Sequence, residues 1–530
     1  MEINLFMNLI PLPKNITLKN KELKLGAKTQ VEGEFLQIAE LLREHLSQFD
    51  SGENTYVKFV KDKDLSEEGY EIFCEDEIIN VKASSSKGAF YAYITIRQIL
   101  DDRNTFVCAD IKDSPKYSYR GFMLDCARHF WRKEKIKQLL DVMADLKMNV
   151  FHWHLTDDQG WRAEIKKYPL LTQKGTTRRS SALYQLSDDL SEKIVKDEKY
   201  GEGLFYSQED MKEIVDYAAQ RFIDVVPEID MPGHMVAAIS CYPQLSCAGE
   251  DVEVSCRYGV MENILCCGKE EVFDFAKDVI DELCEIFTCK FFHIGGDEAP
   301  KARWKTCPDC QKKIRTLGLK NEDALQGYFN AQIADYLKSK GKRMIGWNEI
   351  LDAQELLDKD VVAQWWCVNS LGNKNEKEWM KNGGQCLLSL CPYVYMDHSF
   401  SMRPLKKTYS FSAKKLAPEK YSNVLGMEIP QWTEFIEEED KLDMLTYARL
   451  IAFSEVCWVD PSQKNYKDFE LRMENMRRHF SALGAKICPK NLYRGKAKPW
   501  YLISAGAKWL FWSKNHDHEY DELKRIEKDK

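Results

Sequence analysis

Residues 291–304 read FFHIGGDEAPKARW: a short apolar run, two glycines, then two adjacent carboxylates, Asp297 and Glu298. The run is too short for a helix and rich in aromatics, so it predicts a buried β-strand. Neighbouring carboxylates repel each other and resist burial. A fold that sets two of them at the mouth of a buried strand has a use for them.

The same pattern recurs along the chain. Short apolar runs appear as GFMLDCA from 121, NVFHWHLT from 149, DVVPEID from 224 and RMIGWNEI from 343. They continue as DVVAQWW from 360, CLLSLCPYVYMD from 386 and NVLGMEIPQW from 423. Between most of them lie segments of helical period, KEKIKQLLDVMADLKM, SQEDMKEIVDYAAQRF, EEVFDFAKDVIDELCEIF and ALQGYFNAQIADYLKSKG among them. The seventh connection shows no clear helix. Eight strands alternating with helices predict the α/β class and a (β/α)8, or TIM, barrel with inserted loops. An open doubly wound sheet is the alternative, and its glycine-rich first turn is missing.

The polar residues fall where a barrel would use them. The strand ends carry Asp125 and Arg128, then His154 with Asp157 and Asp158, then Glu228 with Asp230 and His234. Asn348 and Glu349, Trp365 and Trp366, Tyr395 and Asp397, and Trp432 and Glu434 end the later strands. In a closed barrel these carboxyl ends meet at one face, where barrel enzymes keep their sites.

Before the barrel, TYVKFV and YEIFCEDEIINVKA alternate like strands and KGAFYAYITIRQILDD reads as a helix. They predict a small α/β domain of about four strands, closed by the turn-rich IKDSPKYSYRG. The expected division is 1–116 for this domain, 117–490 for the barrel and 491–530 for a C-terminal extension, whose charged end NHDHEYDELKRIEKDK reads as a solvated tail.

With 530 residues and a net charge of −8, the chain has no basic character to attract nucleic acid or an anionic membrane. No apolar stretch is long enough to span a bilayer. The start, MEINLFMNLIPLPKN, lacks a basic n-region and a cleavage site, so the expected location is cytoplasmic.

The gathered strand-end set mixes carboxylates, an Arg, histidines and tryptophans. Aromatic faces stack on the C–H side of a sugar while carboxylates and Arg bind its hydroxyls, so the set suits a carbohydrate. Glycoside cleavage needs an acid for the leaving oxygen and a group that stabilises an oxocarbenium-like centre. Retaining enzymes of the common kind set two carboxylates about 5 Å apart across the bond. Neighbours on one strand end cannot easily straddle a sugar. They can serve when the nucleophile belongs to the substrate, as with the carbonyl of a 2-acetamido group.

Seven motifs, in order, carry a family resemblance: YRGFMLDCARHF, FHWHLTDDQGWR, VPEIDMPGH, HIGGDEAP, GWNEI, YMD and QWTEF. Together with the preceding α/β domain they resemble the β-N-acetylhexosaminidases of glycoside hydrolase family 20. The resemblance implies a retaining exo-enzyme that releases non-reducing terminal β-linked GlcNAc or GalNAc through an oxazolinium intermediate, without a cofactor. It makes Glu298 the general acid/base and Asp297 the stabiliser of the acetamido group. Arg128 would bind the 3- and 4-hydroxyls, Glu434 the 4- and 6-hydroxyls, Asp397 the 6-hydroxyl and Tyr395 the acetamide oxygen. Trp347, Trp366 and Trp432 would wall the acetamide pocket and the ring. Asp157 and His234 would form a relay that orients Glu298. The implied partner is an N-acetylhexosamine-terminated oligosaccharide or glycoconjugate. Choosing Trp366 over Trp365, and Asp157 over Asp158, rests on spacing.

Two rivals use the same residues differently. His152 and His154 form a His-x-His pair, which a metal-dependent sugar deacetylase would use as ligands. A catalytically dead carbohydrate binder would have no reason to keep Glu298. The expectation is no metal. The 17 cysteines are expected to be mostly buried thiols. Cys307 and Cys310 form a lone CxxC, open to zinc, a redox pair or a local disulfide. Cys241, Cys247, Cys256, Cys266 and Cys267 read as loop packing or one disulfide.

Overall fold

The computed structural model describes residues 8–50, 54–100, 103–185, 199–367, 374–416 and 423–495, with 523, 524, 527 and 528. Residues 1–7, at the start of the segment read for a leader, and most of the C-terminal extension lie outside the described residues. Contacts divide the chain into two compact units.

The first unit gathers residues up to 118 with 141–148 and 450–487. Its centre is a mixed sheet of six strands, Asn15–Lys24, Gln30–Gly33, Tyr56–Lys61, Tyr70–Glu75, Ile78–Ala83 and Thr105–Asp113, in the spatial order first, sixth, fourth, fifth, third, second. The expected four strands are thus two too few. The missed pair are the two edges: NITLKNKELK is exposed or half-buried along nearly its whole length, and QVEG has four residues. Neither forms the apolar run that identifies a strand. The helix read at 87–102 runs Ser86–Ile99, with the Ser85 side chain accepting from the amides of Lys87 and Gly88. A second helix, Leu36–Ser47, buries Ile38, Ala39, Leu42 and Leu46.

The second unit holds residues 119–140, 149–449 and the described residues beyond 487. Its eight strands are Tyr119–Asp125, Val150–His154, Asp224–Glu228, Phe291–His293, Arg343–Trp347, Val362–Trp365, Gln385–Leu388 and Val424–Gln431. All eight neighbouring pairs are parallel and the last strand closes on the first. This is the expected barrel, strand for strand.

Helices Lys133–Asp145, Gln208–Ala219, Glu270–Ile286 and Glu322–Ser339 follow the first four strands. The second begins with a reciprocal cap, Ser207 Oγ accepting from Asp210 N–H and Asp210 accepting from Ser207 N–H. The connection before the eighth strand holds only short helical turns, at Cys391–Val394, Leu405–Tyr409 and Ala413–Lys415 among the described residues.

Inside the barrel an apolar layer of Tyr119, Val150, Val226, Phe291, Ile345, Val362 and Leu387 closes one end. Above it the interior is polar. Glu428 accepts from Tyr119 Oη at 2.8 Å and Gln364 Nε2 at 2.6 Å, and pairs with His152 Nδ1 at 2.9 Å. Glu228 pairs with His152 at 3.1 Å and His293 at 2.9 Å. Buried charge persists there because every carboxylate meets an imidazole or a donor. Gly121 makes room, since a Cβ there would lie 2.6 Å from Glu428 Oε2.

Candidate active site

The glycines of HIGGDE build the acidic pair. Gly295 and Gly296 have φ of +66° and +94°, which turns the chain sharply after the fourth strand. A Cβ on Gly295 would fall 1.8 Å from Asp230 Oδ1, and the Gly296 amide donates to that same oxygen at 3.2 Å. Glu298 and His234 also sit at positive φ, 44° and 52°, backbone strain of a kind that clusters at functional sites.

These positions give a direct test. Gly295→Ala combines a left-handed φ with a clash against the Asp230 carboxylate, and we expect a loss of stability of at least ~2 kcal/mol, together with lost activity. Gly318→Ala, at φ +64° with nothing within 4 Å of its Cβ, should cost only about 1 kcal/mol. Chemical denaturation of both variants checks the difference; equal losses would remove the packing argument.

The carboxyl ends of the strands surround a cavity of about 480 Å³. Ten of the eleven expected site residues line it: Arg128, Asp157, His234, Asp297, Glu298, Trp366, Tyr395, Asp397, Trp432 and Glu434. Trp347 is the exception. It is buried, donates its indole N–H to Glu228 at 2.9 Å, and packs against Trp432 at 5.8 Å between ring centroids. It supports the wall from beneath.

The two choices made on spacing can be compared with their neighbours. Trp366 lines the cavity while Trp365 is fully buried in the barrel. Asp157 lines the cavity and pairs with His234 Nδ1 at 3.1 Å, whereas Asp158 stands 3.4 Å away and accepts from the Val236 amide.

His234 joins the parts. Its Nε2 lies 3.7 Å from both an Asp297 and a Glu298 oxygen. Burial works against its charge, but Asp157 and Asp230 outweigh burial and hold the imidazole well above its ordinary range. Burial pushes Asp297 up to about 6, opposed by His234 and reinforced by Glu298. Asp297 Oδ1 is buried without a hydrogen-bond partner among the described residues, which a buried carboxylate tolerates poorly unless a ligand completes it.

Arg128 is fixed from four sides: Asp157 at 2.7 Å, Asp125 at 3.2 Å, Glu434 at 3.8 Å and Gln159, which accepts from Nε at 2.8 Å. Its guanidinium lies over Trp432, 5.1 Å from the ring centroid. Burial raises Asp397 to about 7, with Glu434 adding to the effect. Trp366 stacks on Tyr395 at 6.0 Å and donates to Glu349 at 2.9 Å. Burial and then Asp297 push Glu349 up to about 8.

His152 and His154 are committed to carboxylates. His152 faces Glu428 and Glu228, and His154 faces Glu228 and Asp157 at 3.0 Å. Neither lines the cavity. Several lining residues had no sequence signal, among them Tyr258, Arg403, Lys407 and Phe435. Tyr258, Arg403 and Phe435 come from loops and Lys407 from the short helix Leu405–Tyr409, segments too short or irregular to carry a periodicity.

Known proteins share this organisation. The family model for the glycosyl hydrolase family 20 catalytic domain matches residues 117–461, and that for domain 2 of the same family matches residues 7–114. A β-hexosaminidase of Porphyromonas gingivalis is 37% identical over 88% of the chain and 62% of that protein. One from Vibrio furnissii is 33% identical over 74% of the chain and 65% of that protein. The chain therefore spans a little under two thirds of the length of these two relatives. Among solved structures, a β-N-acetylhexosaminidase of Bacteroides fragilis is 32% identical, with a TM-score of 0.76 over 91% of this chain and 97% of that one. An exo-β-N-acetylglucosaminidase of Vibrio harveyi, in complex with N-acetylglucosamine, is 28% identical, with a TM-score of 0.78 over 91% and 78%.

Proposed function

The chain belongs to glycosyl hydrolase family 20, and from that premise we propose that it is a retaining exo-β-N-acetylhexosaminidase whose nucleophile is the substrate's own acetamide. The observation that carries this reading is the pairing of Asp297 and Glu298 on one wall. Both lie 3.7 Å from the same nitrogen of His234, and one Asp297 oxygen is buried without a hydrogen-bond partner among the described residues. Two carboxylates so placed cannot flank a glycosidic bond. They can protonate a leaving group and hold an N–H beside it.

In this reading the acetamide oxygen attacks C1 as the C1–O bond breaks, and Glu298 gives its proton to the leaving oxygen. Asp297 accepts the acetamide N–H and faces the positive charge of the oxazolinium ion. Tyr395 donates to the acetamide oxygen and keeps it aimed at C1. Water then attacks C1 from the side the leaving group vacated, returning its proton to Glu298 as the ring of the intermediate opens. Two inversions give net retention. Arg128 and Glu434 hold the 3-, 4- and 6-hydroxyls, Asp397 the 6-hydroxyl, and Trp366 and Trp432 wall the sugar, with Trp347 behind. Asp157 keeps His234 protonated, and His234 positions both carboxylates.

Aryl β-GlcNAc and β-GalNAc glycosides should both be cleaved, with the β-anomer of the free sugar appearing first by NMR. Initial release of the α-anomer overturns the mechanism, and release of acetate instead of the aglycone would promote the deacetylase.

A further inference from the structure

The lone CxxC has partners. Cys307 caps the helix Pro308–Leu317 and Cys310 lies in its first turn, while Cys247 and Cys266 come from the long loop after the third strand. That loop is pinched shut where Ser246 bridges Leu265 antiparallel and the Cys266 amide donates to Leu245 O at 2.8 Å. The pinch sets Cys247 beside Cys266. The four sulfurs then meet: Cys266 lies 3.5 Å from Cys310 and 3.6 Å from Cys307, and Cys247 lies 3.9 Å from Cys310. All four fall within 4.8 Å of one another, and three of the residues are buried.

These spacings choose between occupants. A disulfide needs sulfurs about 2.05 Å apart, and all four cysteines are free. Thiolates around a tetrahedral ion at about 2.3 Å stand at the corners of a tetrahedron whose edge is 1.63 times longer, about 3.8 Å. The observed separations bracket that edge. Four thiols packed merely as small apolar groups would have no reason to converge sulfur to sulfur.

The surroundings also hold the two segments together. Gly268 cannot carry a side chain, because a Cβ there would lie 2.3 Å from Asp309 C and Cys310 N. That close approach presses the 266–268 segment onto the CxxC turn.

We propose that Cys247, Cys266, Cys307 and Cys310 bind one zinc ion as a structural tetrathiolate site. The set is closed, with four protein ligands and no open position, which marks a structural rather than a catalytic zinc. None of the four lines the sugar cavity. Their position gives the ion a task. Next to Cys266, Leu265 donates its amide to Pro232 O at 2.9 Å and accepts from Trp304 Nε1 at 3.0 Å. Pro232 lies two residues before His234, and Trp304 lies in the segment after Glu298. The ion would thus tie together the loops that carry His234 and Glu298. The proposal stands on the sulfur geometry and does not depend on the sugar chemistry.

The test is metal content. The full chain, purified under reducing conditions without chelator, should carry about one zinc per chain by plasma mass spectrometry. Cys266→Ser and Cys310→Ser should each lose it, while Cys267→Ser, altering the adjacent buried thiol outside the set, should keep it. Should the serine variants fail to fold, cobalt loaded in place of zinc into the unaltered chain reports the same coordination, through intense tetrahedral d–d bands and thiolate-to-cobalt charge transfer. Absence of metal with all four thiols reduced overturns the site. So do two disulfides among the four by mass, or iron as the resident ion.

Discussion

Glu298→Gln should lower kcat/KM by on the order of 10³-fold on substrates whose leaving group is another sugar, and by about tenfold on nitrophenyl glycosides. Those values follow from the acid's task. A sugar alkoxide is a poor leaving group, so protonation of the bridging oxygen accounts for most of the typical 10²- to 10⁴-fold gain from general acid catalysis. A nitrophenolate departs largely unaided. The parameter matters, because kcat/KM reports bond cleavage and leaves out the later step in which Glu298 acts as base. Gln keeps the volume and the φ of 44°, and the side chain is 37% exposed, so the fold should survive; an unchanged thermal midpoint checks this. Equal losses on both substrate classes would count against Glu298 as the acid.

The barrel was legible because its strands are buried on both faces. Such strands read as plain apolar runs, and their ends read as abrupt polarity. The first unit was legible only at its centre. Its first strand alternates weakly and stays exposed, and the helix at Leu36–Ser47 starts at Phe35 with no side-chain cap and leaves Leu36 71% exposed. Nothing local announces either one; the sheet and its core impose both.

The site divides in the same way. Residues on strand ends could be named from the sequence, since barrel closure alone brings them to one face. Trp347 shows the limit: it stands at a strand end, yet its indole turns into the barrel toward Glu228. Sequence position does not report that direction. Tyr258, Arg403 and Phe435 reach the cavity from loops whose course depends on packing. The cysteines show the limit most sharply. Cys247 and Cys310 are 63 positions apart, and only the folding of one loop against the start of the helix Pro308–Leu317 converts a single CxxC into half of a four-sulfur cluster.

Asp297→Asn should cost roughly 10²- to 10³-fold in kcat/KM, about 3–4 kcal/mol, the usual worth of one preorganised electrostatic contact in a site closed to water. The carboxylate faces the nitrogen that becomes cationic as the acetamide attacks, so its charge acts mainly in the transition state. A stable thiazoline analogue of the cyclised intermediate should bind the unaltered enzyme far more tightly than the product sugar does. In Asp297→Asn that advantage should shrink by a factor close to the loss in kcat/KM, while product affinity changes little. The pH dependence supplies a second readout. Burial first, then Glu298 and Glu228, raise Asp297 to about 6 against the pull of His234. A raised carboxyl is ionised only above that value, so kcat/KM for the unaltered enzyme should fall as pH drops through about 6. Asn cannot titrate, so the variant should lose that limb. Because the acetamide is the nucleophile, the matching β-glucoside, with a hydroxyl at C2, should be cleaved very poorly. Efficient cleavage of it, or a 2-fluoro sugar trapped on any protein carboxylate by mass spectrometry, would show that the enzyme supplies its own nucleophile, leaving the adjacency of Asp297 and Glu298 without a catalytic reason.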